Sequence, residues 1–187
     1  MKALMMALLV GASCARAGDS APLPELTLVV CMDSNGNTAR IDPGRAAATV
    51  VFKRAGIQLD WRTSQRPCLA GGGIVVTVSF ATPDGEHRGA LAYALPYERT
   101  HIVLLYDRIL EAISRPGVPS LMGYVLAHEI GHMLQGVARH SSSGIVKAHW
   151  NYLDYADMQL GRLKFTGEDI TLIRDGLKRF TRPVFAE

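Results

Sequence analysis

The sequence predicts an α+β or α/β domain, with a strand-rich first half leading into a helical second half. Three observations carry this. Residues 26–32, 74–80 and 101–106 are short runs rich in β-branched and apolar side chains, the kind that fill the middle of a sheet. A helical stretch separates the first run from a further strand at 57–62, and such a crossover favours parallel strands joined in the right-handed sense. The helix over 121–136 is apolar around most of its circumference, through Leu121, Met122, Val125, Leu126, Ile130, Met133 and Leu134, so it belongs under a sheet.

The elements follow in order. Lys2, the apolar run 3–12 and the small-x-small site Ala15-Arg16-Ala17 form the pattern of a secretory signal peptide, cut after Ala17. About ten apolar residues are too few to span a bilayer, so no stable membrane span is expected. Cys14 raises a lipoprotein signal, but Gly11-Ala12-Ser13 before it lack the large aliphatic residue such a signal needs. Residues 18–187 are then one domain, secreted or periplasmic, and a monomer is expected. Without Lys2 and Arg16 the chain keeps 18 basic against 17 acidic residues. The basic residues are dispersed, so no nucleic-acid partner is expected. The two remaining cysteines, Cys31 and Cys68, suggest one disulfide in an exported chain. Neither has C-x-x-C spacing, which argues against a Cys-ligated zinc site.

Residues 19–25 read as a flexible start, and 33–37 as a turn. Asp33, Asn35 and Asn37 are spaced like a calcium loop, but Thr38 and Gly44 stand where Gly and Glu are required. Asp42 as N-cap and Pro43 as first helical residue open a helix to about Ala55, closed by Gly56. Residues 63–73 form a loop; its three glycines are a turn, because no Lys-Ser or Lys-Thr follows to make a phosphate cradle. Residues 89–95 are a weaker strand of small residues bounded by Pro96, suited to a sheet edge. A short helix at 107–114 stops before Pro116. Ser120 caps the 121–136 helix, a helical stretch covers 152–160, and Thr166-Gly167-Glu168-Asp169 starts the last helix, which runs to about Phe180.

His128-Glu129-Ile130-Gly131-His132 lies inside the 121–136 helix. Residues four apart on a helix project from one face, so both imidazoles can reach one metal ion from a rigid support. Glu129 stands beside the first His and can reach a water on that metal. This is the H-E-x-x-H spacing of zinc-dependent peptidases. A catalytic zinc usually takes three protein ligands and leaves one position open. Gly136 can adopt the left-handed conformation that ends a helix, and His140 follows within easy reach. The expected metal ligands are therefore His128, His132 and His140, around one Zn2+, with Glu129 as the catalytic base. Asp154, Asp157, Glu168 and His149 compete for the third position. Tyr152 and Tyr155 are candidate oxyanion stabilisers, although packed aromatics explain them more simply. His87 and His101 read as ordinary loop and strand residues. No G-x-S-x-G is present and neither Cys has an active-site context, so nothing supports a nucleophilic hydrolase.

The stretch from His128 to His140, with Gly136 between, resembles the metzincin pattern HExxHxxGxxH. It runs one residue longer before the Gly and one longer again before the His. Ser143-Gly144-Ile145-Val146 resembles in position the turn that metzincins place below the metal, with Val146 where Met is expected. The resemblance implies a small, divergent, metzincin-like zincin of the kind found among secreted bacterial proteins. It implies a zincin-like α+β fold: a twisted mixed sheet of about five strands, a long helix under it carrying HExxH, and a helical C-terminal part. It also implies a zinc metallopeptidase, read as an endopeptidase acting on peptide or protein, with the edge strand at 89–95 pairing with extended substrate. Zinc would acidify a water and polarise the scissile carbonyl. Glu129 would accept the water's proton and deliver it to the leaving amine. The alternative is a zinc-bound module of the same fold that binds a peptide or partner without catalysis.

Overall fold

The computed structural model describes residues 26–69, 73–83, 85, 87–94, 100–137 and 139–180. The signal peptide expected at 1–17, the start at 19–25 and the end of the predicted edge strand lie outside the described residues.

Five strands form one mixed sheet: β1 (Leu26–Met32), β2 (Ile57–Arg62), β3 (Gly73–Ser79), β4 (Ala92–Ala94) and β5 (His101–Leu105), in the order β2-β1-β3-β5-β4. The pairs β1–β2, β1–β3 and β3–β5 are parallel, and β4 alone runs antiparallel, against β5. The fold is the predicted α+β arrangement. The parallel β1–β2 pair follows from the strand–helix–strand start. Strand β4 takes the expected edge but begins only at Ala92, with Gly89 in a turn and Leu91 in a bend and not in the strand expected from 89.

Alternation sorts the sheet into two faces. Leu28, Val30 and Met32 of β1, Ile74, Val76 and Val78 of β3, and Ile102 and Leu104 of β5 enter the main core. That face meets α1 (Thr38–Arg54) and α4 (Val118–Gln135), which also pack on each other. On the opposite face Cys31 and Val75 pack with Cys68. Cys68 lies in α2 (Arg66–Leu69) and is joined to Cys31 by the expected disulfide. Among the described residues the remaining helices are α3 (Tyr106–Ala112), α5 (Tyr152–Gln159) and α6 (Gly167–Phe180), with a short 3-10 turn at Arg115–Gly117.

Two close approaches set the helices. At Gly123 of α4 an added Cβ would lie 2.4 Å from Ala47 Cβ and 2.9 Å from the Ala48 nitrogen, so the α1–α4 crossing has room for hydrogen only. At Gly176 of α6 it would lie 1.7 Å from the Leu134 carbonyl oxygen, so α6 rests backbone to backbone on the last turn of α4.

Two helix starts differ from expectation. Helix α1 begins at Thr38, not Asp42, and Pro43 sits inside it. Ile41 is fully buried and draws an extra turn into the core; the proline's missing N–H costs only one bond near the helix start. Asp42 pairs with Arg45 at 3.1 Å instead of capping. Helix α4 begins at Val118 with Pro119 in its first turn. Ser120 is therefore inside it, and its hydroxyl donates to the Met158 carbonyl (2.7 Å), tying α4 to the end of α5.

Candidate metal centre

The two histidines of the motif lie in the C-terminal half of α4. Their Nε2 atoms are 2.9 Å apart, and their rings meet edge to face. Gly136 ends the helix at φ 71°, its N–H bonded to the His132 carbonyl at 2.9 Å. This is the left-handed exit that returns the chain. It brings His140 back, with ring centroids 4.9 Å from His132 and 5.6 Å from His128. One ring nitrogen from each of the three histidines falls within 4.8 Å of the others. Among the described residues this is the one group of His, Cys, Asp or Glu so placed.

The turn after His140 completes the support. Ser141 N–H donates to the Val146 carbonyl at 2.9 Å. The next carbonyl back, Ile145, lies 2.8 Å from His128 Nδ1. Only an N–H can serve that contact, so His128 carries its proton on Nδ1 and presents a bare Nε2 lone pair. Trp150 donates its indole N–H to the same carbonyl at 3.2 Å and meets the His128 ring edge-on.

The electrostatics favour neutral imidazoles. Burial lowers the His128 pKa, and the nearby His140 lowers it further. Burial also brings His132 down to about 4, with added repulsion from His128 and His140. Without an ion, an Nε2–H of His132 can donate to the bare Nε2 of His128; with the His132 proton on Nδ1 instead, both lone pairs turn to one point where a cation can sit. Ligands of a tetrahedral zinc, bonded at about 2.0–2.1 Å, sit roughly 3.3 Å apart, close to the spacing of the His128 and His132 nitrogens. The three-nitrogen donor set and the His128 tautomer therefore fit zinc.

Glu129 opens on a cleft of about 680 Å³ that His128 and His140 also line. Burial lifts its carboxyl to about 7. Residues 88–92, which lead into the edge strand, line the cleft too, together with Lys147, His149, Trp150 and Tyr155.

The other sequence candidates fall elsewhere. Asp154 closes the N-terminal capping box of α5 with Asn151 and pairs with Lys147 at 2.6 Å. Glu168 is exposed and stands 3.6 Å from Arg139. Asp157 and His149 are outside the three-histidine group, although His149 lines the cleft. Tyr155 faces the cleft, whereas Tyr152 is 78% exposed. His87 stacks on Tyr93, and His101 lies on β5. Sequence reasoning missed the Ile145 carbonyl and the Trp150 indole. A main-chain acceptor leaves no letter to find, and an indole carries no metal-ligand chemistry that would single Trp150 out.

No family model matches the chain, and no curated protein matches it. Among solved structures it is similar to the crystal structure of archaemetzincin from Methanopyrus kandleri, at 12% identity and a TM-score of 0.53. The match covers 86% of this chain and all of the other. What the two share is the fold, a mixed five-stranded sheet with its helices.

Proposed function

We propose that this chain is an exported zinc-dependent metallopeptidase. The observation that carries this reading is a three-imidazole cluster, two of whose rings line a cleft onto which the Glu129 carboxyl also opens. The fold shared with archaemetzincin, a zinc metallopeptidase of metzincin-like type, supports it. His128, His132 and His140 would hold one zinc ion. Zinc held there supplies Lewis acidity, which polarises a carbonyl and acidifies a water.

The chain's own residues supply the rest. The Ile145 carbonyl holds the His128 ring in its ligand tautomer. Glu129 would take a proton in the cleft and return it to the leaving amine nitrogen; burial lifts its carboxyl in the metal-free chain, and zinc beside it would bring it back towards the carboxylate that accepts. The edge position of β4 leaves main-chain groups for an extended peptide, which favours hydrolysis within a chain. The Cys31–Cys68 disulfide and the leader pattern at 1–17 support export. No helix among the described residues is long and apolar enough to cross a membrane. The reading includes a monomer acting on peptide or protein.

The test measures zinc stoichiometry and peptide-library cleavage in wild type and Glu129→Gln. One zinc per chain in both is expected, with cleavage at least about a hundredfold slower in the variant. Zinc in both with cleavage in neither identifies a binding module of the same fold. Retained cleavage in Glu129→Gln overturns the mechanism.

A further inference from the structure

Asp169 belongs to α6, nearly thirty residues beyond His140, yet its two carboxylate oxygens face different tasks. Oδ2 accepts from the Thr166 N–H (3.1 Å) and the Thr166 hydroxyl (2.7 Å), and the Asp169 N–H returns to that hydroxyl (3.1 Å). These bonds form the capping box of α6, a local role that needs one oxygen. Oδ1 reaches back along the chain. It accepts from Arg139 at 3.0 Å and from the Ser141 hydroxyl at 2.6 Å. Arg139 and Ser141 are the residues on either side of His140.

The carboxylate is fully buried. A charge taken out of water survives only with a complete set of donors, which makes such contacts strong and geometrically exacting. The element behind it is rigid, since α6 lies against the last turn of α4 at Gly176 and Leu134. That turn follows directly on His132. The loop carrying the exposed His140 is thus fastened to a helix that is itself seated on the helix carrying the other two histidines.

We infer that Asp169 is the positioning residue of the metal centre, clamping Arg139 and Ser141 so that His140 is held in place to act as third ligand. This rests on the reading of His140 as a ligand. Asp169 is not itself a ligand, because both its oxygens are filled and it lies outside the three-histidine group. An unclamped loop would have to be ordered by the metal, and that lost entropy would be subtracted from affinity.

The test measures zinc affinity by competition with a chromophoric chelator, and the visible spectrum of the cobalt(II) form. The variants are Asp169→Asn and the pair Arg139→Gln/Ser141→Ala, each with His140 present and with His140→Ala. The Arg139/Ser141 pair leaves the α6 capping box intact, so it reports even if Asp169→Asn fails to fold. With His140 present, both should weaken zinc by roughly ten- to a hundredfold, and the cobalt spectrum should move to that of His140→Ala. In the His140→Ala background the same substitutions should change affinity less than about twofold. Equal losses in both backgrounds, or no loss with His140 present, overturn the positioning role and leave the metal centre standing. A wild type that binds no zinc, or a His140→Ala variant with unchanged affinity, overturns the ligand reading and the positioning role with it.

Discussion

Replacing Glu129 with Gln in the metal-free protein should remove a pH dependence of stability whose size follows from where the carboxyl sits. Burial raises its pKa from 4.5 to about 7. Between those values the folded chain holds a proton that the unfolded chain has released. The contribution to stability is therefore full below about 4.5 and is lost as pH rises through about 7. A tenfold change in proton affinity is worth about 1.4 kcal/mol. Moving from pH 5 to pH 9 should thus cost the wild type roughly 2–3 kcal/mol through this group. The assay is urea unfolding of chelator-treated wild type and Glu129→Gln at both pH values. His132 pulls the other way: held at about 4 by burial, it loses stability as pH falls below its ordinary 6.5. That loss is common to both proteins and cancels when their pH 5 to pH 9 changes are subtracted. An equal pH response in the two would refute the argument that Glu129 is a buried, near-neutral base. Zinc should shrink the wild-type response, because a cation beside the carboxyl favours its charged form.

The disulfide closes a loop between positions 37 apart. In the chain-entropy model it is worth about 4 kcal/mol. Reduction should therefore lower the melting temperature by roughly 8–15 °C; an unchanged melting curve with both thiols titrating as free would contradict this. Gly123→Ala should destabilise by about 1–3 kcal/mol in urea unfolding, since its methyl group would meet the α1 backbone. Gly131→Ala, inside the H-E-x-x-H motif, should be near neutral, because its nearest contacts are ordinary at 3.5–3.6 Å; the reverse ranking would mean that the helix packing is wrong. Burial pushes the Asp107 carboxyl up, but bonds from the Thr82 N–H and hydroxyl outweigh it and hold the pKa below 3.8. Its contribution is present above that value and lost as pH falls through the folded one. Asp107→Asn should thus lower stability at pH 7 and flatten the acid limb, and an unaltered acid limb would rule this out.

Much of this architecture was legible in the chain. The β-branched runs of β1, β3 and β5 fix the middle of the sheet, and the small residues near Ala92 mark its edge. The i, i+4 spacing of His128 and His132, with the Gly136 exit, points to the cluster before any coordinates do. Helix starts were less legible. Asp42-Pro43 has the local chemistry of a cap, but burial of Ile41 extends the helix past it, a tertiary effect that no local pattern carries. Ser120 has a capping side chain that a distant carbonyl, Met158, claims instead. Around the site, Thr166-x-x-Asp169 reads as a helix start and is one. The reach of its second oxygen to Arg139 and Ser141 depends on how α6 docks, which only the folded backbone reveals.

The acceptor for His128 is a peptide carbonyl, and every residue type at position 145 brings one. The imidazole is thus oriented by the course of the chain and not by a side chain. Residues 145 and 146 are therefore free, as far as this contact goes, to vary among apolar types that fit the core. Relatives of this chain should be sought by three histidines, a glutamate and a glycine laid over a common backbone path. The letters of the turn beneath them are the part most readily rewritten.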